Sequence, residues 1–449
     1  MLTGGSILDL DAAGAVLEGH AIVIVGTDIV EVCPAADIER RWSPQRTIDA
    51  DGAVVCPGFV DAHVHLSALL GSGRRYAKAT GPGLFAGASR IAEITTMMNQ
   101  LMTIPVPDEV MSRVAAAGFV AMIRSGITSV VDAGSTAHAG LVAAVSRVGI
   151  RAAIGPALAD TTLDADGALR RHADTSGIVD DARRFVDEHD GAAGGLVRAL
   201  VAAADPISCS DELLAAVAGL AADRDIPTHV HSHVSAPSAL AHAVAFGRSE
   251  TDRLAAAGLL SPRCVAMHVG HVDDRDLHAF VTSGVTVNHN PLGNAMLGFG
   301  TAADGSLARL RAAGVPVVLG SDYTPSMIAT PFDIMRAALT VSREVAASDD
   351  GLTLEDAVAM ATNSGVATGH PGRLGRIAAG QLADLVVIDT TGAHHLGRRH
   401  PIPAVALRAR PSDVRTVIIN GRTVFDDHQF LDLDEAQIIA EADLTLASM

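Results

Sequence analysis

Residues 53–66 read AVVCPGFVDAHVHL. A nearly continuous apolar run, rich in β-branched side chains, is the pattern of a strand buried on both faces, as parallel strands of α/β proteins are. The same texture returns along the chain as ITSVVDAG (127–134), RAAIGPAL (151–158), LVRALVAAA (196–204), IPTHVHSH (226–233), CVAMHVGH (264–271), VTVNHNP (285–291) and VPVVLGSD (315–322). Between these runs the residues favour helix, near 107–125, 138–148, 178–189, from Asp211, in the Ala-rich region after 233, from DDRD at 273–276, and near 303–313, 331–346 and 353–368. Strand followed by helix, eight times over, predicts a (β/α)8 barrel in the α/β class.

The flanks have a different rhythm. HAIVIVGTDIVEV (20–32), ADLVVID (383–389) and VRTVIINGRTVF (414–425) read as short strands joined by turns. Two distant flanks of one texture predict a small β-sandwich made by both chain ends, residues 1–56 with 373–430. The barrel then spans 57–372, and 431–449 reads as a tail helix.

Composition excludes several classes. The formal net charge of −18 argues against a nucleic-acid or anionic-membrane surface, which needs clustered Lys and Arg. Lys78 is the only lysine, so no Walker A loop exists. The four cysteines, at 33, 56, 209 and 264, lie far apart, which indicates neither a disulfide framework nor a thiolate zinc site. No basic-flanked apolar run suits a signal peptide, and Val114–Ile123 is too short to span a bilayer. The expectation is a cytoplasmic protein acting on a small molecule, without nucleic acid or membrane.

In a barrel of this kind, active-site groups stand at the C-terminal ends of strands. His63 and His65 end the first strand, His231 the fifth, His268 the sixth, His289 the seventh and Asp322 the eighth. An isolated His-x-His is weak evidence, and an Asp after a strand often caps the next helix. Imidazoles and a carboxylate converging from several strand ends, however, make an N/O shell for one divalent metal with a position left for water. In THVHSHVS (228–235) alternate side chains face one way, so His229 is expected a step deeper in the barrel and His233 in the loop beyond the strand. His271 reads as structural, and His172, His189 and His428 as solvated.

PGFVDAHVHL from Pro57, MHVGHVDD from Met267, VNHNPLGNAMLGFG from Val287, VVLGSD from Val317 and GRLGRIAAGQLADLVVID from Gly372 together resemble the amidohydrolase superfamily. The resemblance is to the branch of triazine hydrolases, cytosine and guanine deaminases and S-adenosylhomocysteine deaminases. It implies His63, His65, His231 and Asp322 as ligands of one zinc, with iron the alternative, and His268 as the histidine that polarises water or substrate. It implies Asp322 as the proton acceptor, and by analogy a dimer or larger homo-oligomer. The fourth strand has no lysine to carry a bridging carboxylate for a second metal.

One position departs from the deaminating members. Three residues after the fifth-strand histidine they carry a glutamate that protonates the substrate ring, and here Val234 stands there. Valine moves no proton, so either His233, His289 or Glu93 replaces it, or the substrate is an amide or urea carbon that needs no ring protonation. The function expected is therefore hydrolysis of a non-peptide C–N bond in a small cyclic, amide or urea-type compound. Deamination of an N-heterocycle is the alternative, and a non-catalytic scaffold the reading from a different class. Arg74 and Arg75, in the long segment after the first strand, suit an anionic substrate group. His289, Asn294, Tyr323, Thr324 and Val234 are the other candidates to line the pocket.

Overall fold

A computed structural model describes residues 1–10, 15–38, 41–72, 106–164, 168–322, 329–348, 351–397 and 400–449. Arg74, Arg75, Glu93, Tyr323 and Thr324 lie outside the described residues.

Eight parallel segments form the barrel: β1 (Phe59–Val64), β2 (Ile127–Ala133), β3 (Arg151–Gly155, continuing as Ala157–Leu158), β4 (Val197–Ala199 and Val201–Ala203), β5 (Thr228–Ser232), β6 (Cys264–His268), β7 (Thr286–His289) and β8 (Val317–Leu319). Each pairs with the next in chain order. The ring closes where Asp322 bridges Val64 in parallel and its N–H donates to the His63 carbonyl at 2.8 Å. Sheets of this kind are covered on both faces, which is why the strands carry so few polar residues. Val60, Ala62, Val131, Ala202, Val265, Met267 and Val318 pack inside the barrel with Ala367 and Leu374, while Val230, Ala266 and Val287 pack outward against helices.

The helices begin where local chemistry satisfies their first N–H groups. Ser210 caps Asp211–Arg224, Asp273 forms a capping box for Asp274–Ser283, and Thr330 does so for Pro331–Ala346. The stretch expected as one helix over 353–368 ends at Thr362, because the chain there turns inward and lays Ala367 across the barrel floor. His229 sits on that floor with Nε2 3.3 Å from the Ala367 carbonyl.

Both chain ends enter one seven-stranded sheet, in which Ala53–Pro57 lies between Ser6–Asp9 and the antiparallel Leu385–Asp389. A four-stranded sheet of Asp28–Pro34, His20–Val25, Leu2–Thr3 and Ile48–Asp49 stacks against it over Ile7, Ile22, Ile29, Val55 and Val387. Alternate residues Val54, Cys56, Val386 and Ile388 face the other way, toward helix Asp108–Arg124, as a period of two requires. The terminal helix Glu435–Ser448 reaches that helix through a bidentate Arg124–Glu435 pair at 2.5 and 2.9 Å. Under the barrel, Arg151 at the start of β3 donates to both Asp384 oxygens, at 2.8 and 3.0 Å, and to Asn420 Oδ1, with both charged groups buried. Among the described residues no helix is long and apolar enough to cross a membrane.

Candidate metal centre

The mouth of the barrel gathers His63, His65, His231, His268 and Asp322. The ligand-capable atoms of His63, His65 and His231 lie within 4.8 Å of one another, as do those of His63, His268 and Asp322. His63 Nε2 is 3.4 Å and His65 Nε2 3.7 Å from Asp322 Oδ1, and all of these groups are buried.

Buried polar atoms almost always find partners, so the exceptions are informative. His63 Nδ1 and Nε2, His65 Nε2, His231 Nε2, His289 Nε2 and Asp322 Oδ2 have none among the described residues. His231 shows why this suits a cation. Its Nδ1 hydrogen goes to the Ala204 carbonyl at 2.6 Å, which leaves the Nε2 lone pair aimed into the cluster. Burial pushes His63, His65 and His231 down to about 3, so all three are neutral at pH 7 and free to donate lone pairs. Burial alone would raise Asp322, but His268, His63 and His65 hold it well below the usual carboxylate range. Three neutral imidazoles and one anionic carboxylate fit a divalent ion with nitrogen and oxygen preferences.

Backbone geometry aims these groups. His233, His268, Val269, His271 and Asp322 all have φ between 41° and 73°, a region non-glycine residues seldom adopt. Such residues collect at functional sites, where surrounding contacts hold them. Helix Pro291–Leu297 approaches so closely that a Cβ on Gly293 would lie 2.5 Å from Asp322 Oδ2.

Some supports were not legible in the sequence. Asp61 ties β1 to the end of β8, accepting Ser321 Oγ at 2.5 Å and Ser321 N at 2.9 Å, and burial pushes it up to about 6. Asp132 accepts Leu66 N at 2.8 Å and Ser135 Oγ at 2.7 Å, which shapes the turn after His65.

The remaining candidates separate clearly. His289 is buried beside His268, and burial lowers it to about 4, with the nearby His268 adding to the effect. Asn294 engages His268 directly, its Oδ1 2.7 Å from His268 Nδ1. Val234 is half-buried just past β5. His233, weighed as a replacement proton donor, turns out of the barrel to Ser232, Glu250 and Thr251 and packs against Phe280. The left-handed turn at His233 breaks the alternation that would have kept it on the inner face. His271 holds the following loop through the Phe299 carbonyl at 3.2 Å.

A barrel with this constellation at its mouth and a sandwich from both chain ends defines a class of metal-dependent hydrolases. The amidohydrolase family matches over residues 54–424, and the chain belongs to that family. It is 28% identical over 451 residues to a 5-methylthioadenosine/S-adenosylhomocysteine deaminase of Syntrophobacter fumaroxidans, covering 98% of this chain and 95% of the relative. It is 27% identical over 442 residues to a 5'-deoxyadenosine deaminase of Methanosarcina mazei, covering 97% and 95%. Among solved structures, an adenosine deaminase from Xanthomonas campestris with bound zinc superposes with a TM-score of 0.86 at 23% identity, covering 100% of this chain and 98% of that one. Atrazine chlorohydrolase from Arthrobacter aurescens complexed with zinc gives 0.86 at 22%, covering 99% of each. At those identities the structures speak to the fold.

Proposed function

We propose that this chain hydrolyses a carbon–nitrogen bond of a small heterocyclic or cyclic compound, using one zinc held by His63, His65, His231 and Asp322. The observation that carries the reading is the set of unpartnered lone pairs on neutral, buried imidazoles around an anionic carboxylate. The barrel, residues 57–372, carries the chemistry, and the sandwich of 1–56 and 373–430 supports its base.

A zinc held by these residues would supply positive charge that lowers the pKa of a bound water toward about 7 and polarises the carbon under attack. The chain does the rest. Asp322 Oδ2, which has no hydrogen-bond partner among the described residues, takes a proton from the attacking oxygen as the new C–O bond forms. His268 faces the same space, and His289 offers an uncharged ring beside it. Val234 brings neither charge nor proton, which favours a carbon that accepts attack without ring protonation. The second reading, deamination of a purine nucleoside, is favoured by the names of the relatives. In either reading the substrate is a small molecule.

Metal analysis of the purified protein, followed by an ammonia- and amine-release screen over nucleosides, triazines, cyclic amides and substituted ureas, tests the proposal. One zinc per chain and release from a C–N compound are expected. Stoichiometry near two, or no release from any of these classes by the zinc-loaded protein, would overturn it.

A further inference from the structure

We propose that Asn294 is a positioning residue that fixes the His268 proton on Nδ1, so that Nε2 carries a lone pair and takes one of the protons of the attacking water. The inference rests on the hydrolase reading and deepens it.

Asn294 Oδ1 lies 2.7 Å from His268 Nδ1, and Asn294 Nδ2 donates to Thr301 Oγ1 at 2.8 Å. All three side chains are buried, so water does not compete for these bonds. The other amide nearby, Asn290, presents its Nδ2, a donor, 3.5 Å from Nδ1, at the outer limit of hydrogen-bond range, so the much shorter 2.7 Å contact makes Asn294 Oδ1 the partner. Thr301 is itself wedged against the backbone after β6, where a Cβ on Gly270 would meet its Cα at 2.8 Å. With Oδ1 toward the ring, the amide accepts and the ring hydrogen sits on Nδ1, so the neutral ring has its acceptor at Nε2. With Nδ1 engaged, Nε2 is the nitrogen left for the group that His268 forms with His63 and Asp322.

This changes what His268 does. A neutral ring of this tautomer cannot donate a hydrogen bond from Nε2 to developing negative charge on the substrate, one way in which the histidine could have polarised it. It can accept a proton. Hydrolysis of a C–N bond leaves two water protons to place; Asp322 takes one, and the missing glutamate at Val234 leaves the other without a carboxylate carrier. In the step proposed, a water O–H bond breaks with its electron pair staying on oxygen, that oxygen bonds to carbon, and the proton rests on Nε2. The C–N bond then breaks with its pair going to nitrogen, the Nε2 proton moves to that nitrogen, and Asp322 passes its own proton to the heteroatom that received the electron pair displaced from carbon, which leaves the carboxylate ionised again. The neutral Nδ1–H ring is restored.

Turning the Asn294 amide over would put its NH2 on His268 and the ring hydrogen on Nε2, and Thr301 could serve either orientation. The ring nitrogens therefore decide the matter. Protein carrying 15N-labelled histidine, with His268 assigned by its loss in His268→Ala, is examined by NMR at mildly alkaline pH. Wild type is expected to show hydrogen on Nδ1, Asn294→Leu to lose that preference, and Asn294→Asp, which keeps an acceptor, to retain it. With a C–N substrate from the screen, Asn294→Leu should lower kcat by about 100-fold at nearly constant KM. Thermal melts and zinc content of both variants separate this effect from misfolding. Hydrogen on Nε2 in wild type, or an Asn294→Leu protein that keeps both Nδ1–H and full kcat, overturns the proposal. Nδ1–H in a zinc-loaded protein that hydrolyses nothing would sink the hydrolase reading and the proton transfer with it, while the tautomer stands.

Discussion

Gly293→Ala tests the site without substituting any proposed ligand. Its φ is not in the left-handed region, so alanine is allowed there, and inside helix Pro291–Leu297 it should gain about 1 kcal/mol from helix propensity. Against that gain, the new methyl would lie 2.5 Å from Asp322 Oδ2 and 2.6 Å from Asp322 Cβ, where ordinary contact begins near 3.4 Å. Relieving the overlap moves the carboxylate by about 1 Å, and overpacking of this kind costs roughly 1–3 kcal/mol, so the metal-free protein should lose about 0–2 kcal/mol. The effect on metal is larger. Coordination tolerates only about 0.2 Å in bond length, and disturbing the support of a ligand typically costs about 10–100-fold in affinity. Zinc should therefore stabilise the variant by about 1.4–2.7 kcal/mol less than it stabilises wild type at the same concentration. Chelator competition gives the affinity, and melts with and without zinc give the linkage. Zinc affinity unchanged from wild type would mean that Asp322 is not a ligand, or that the helix yields freely.

Three further outcomes follow from other parts of the molecule. Asp322→Asn keeps the shape but cannot take a proton, so turnover of a substrate found by amine release should fall by at least about 100-fold; near-normal activity in the zinc-loaded variant would remove Asp322 as proton acceptor. Arg151→Met leaves Asp384 charged and buried without its cation and should cost about 3–5 kcal/mol in denaturant unfolding; a loss under about 1 kcal/mol would mean that water reaches the pair. His138, which burial pushes from 6.5 down to about 4, stays neutral in the folded chain while its unfolded form takes a proton. Its contribution is full above pH 6.5 and is lost as pH falls toward 4, so His138→Gln should flatten the stability profile by up to about 3 kcal/mol across that window. A variant profile parallel to wild type would refute the assignment.

The barrel was legible because strands buried on both faces leave a period-free apolar run, and the eight runs survive even where β4 is split at Leu200. His63, His65, His231, His268 and Asp322 were legible because each ends such a run. The Asp61–Ser321 clamp and the bond from Asn294 to His268 were not, since each joins residues far apart in sequence whose meeting depends on barrel register. His233 shows the limit of periodicity. The alternation in THVHSHVS continues on paper past Ser232, but the strand stops there and a left-handed residue turns the next imidazole outward.

The seam between Ala53–Pro57 and Leu385–Asp389 has a consequence for how the chain is made. On the ribosome the first of these strands emerges before any barrel residue, and its partner emerges after all of them. Until then the strand that leads into β1 displays an open edge, the kind of surface that recruits other chains. Pairing of such sequence separation is slow to form. Emergence of Leu385–Asp389 therefore acts as the closing step for this seam, and chains arrested within the barrel are the ones expected to need a chaperone.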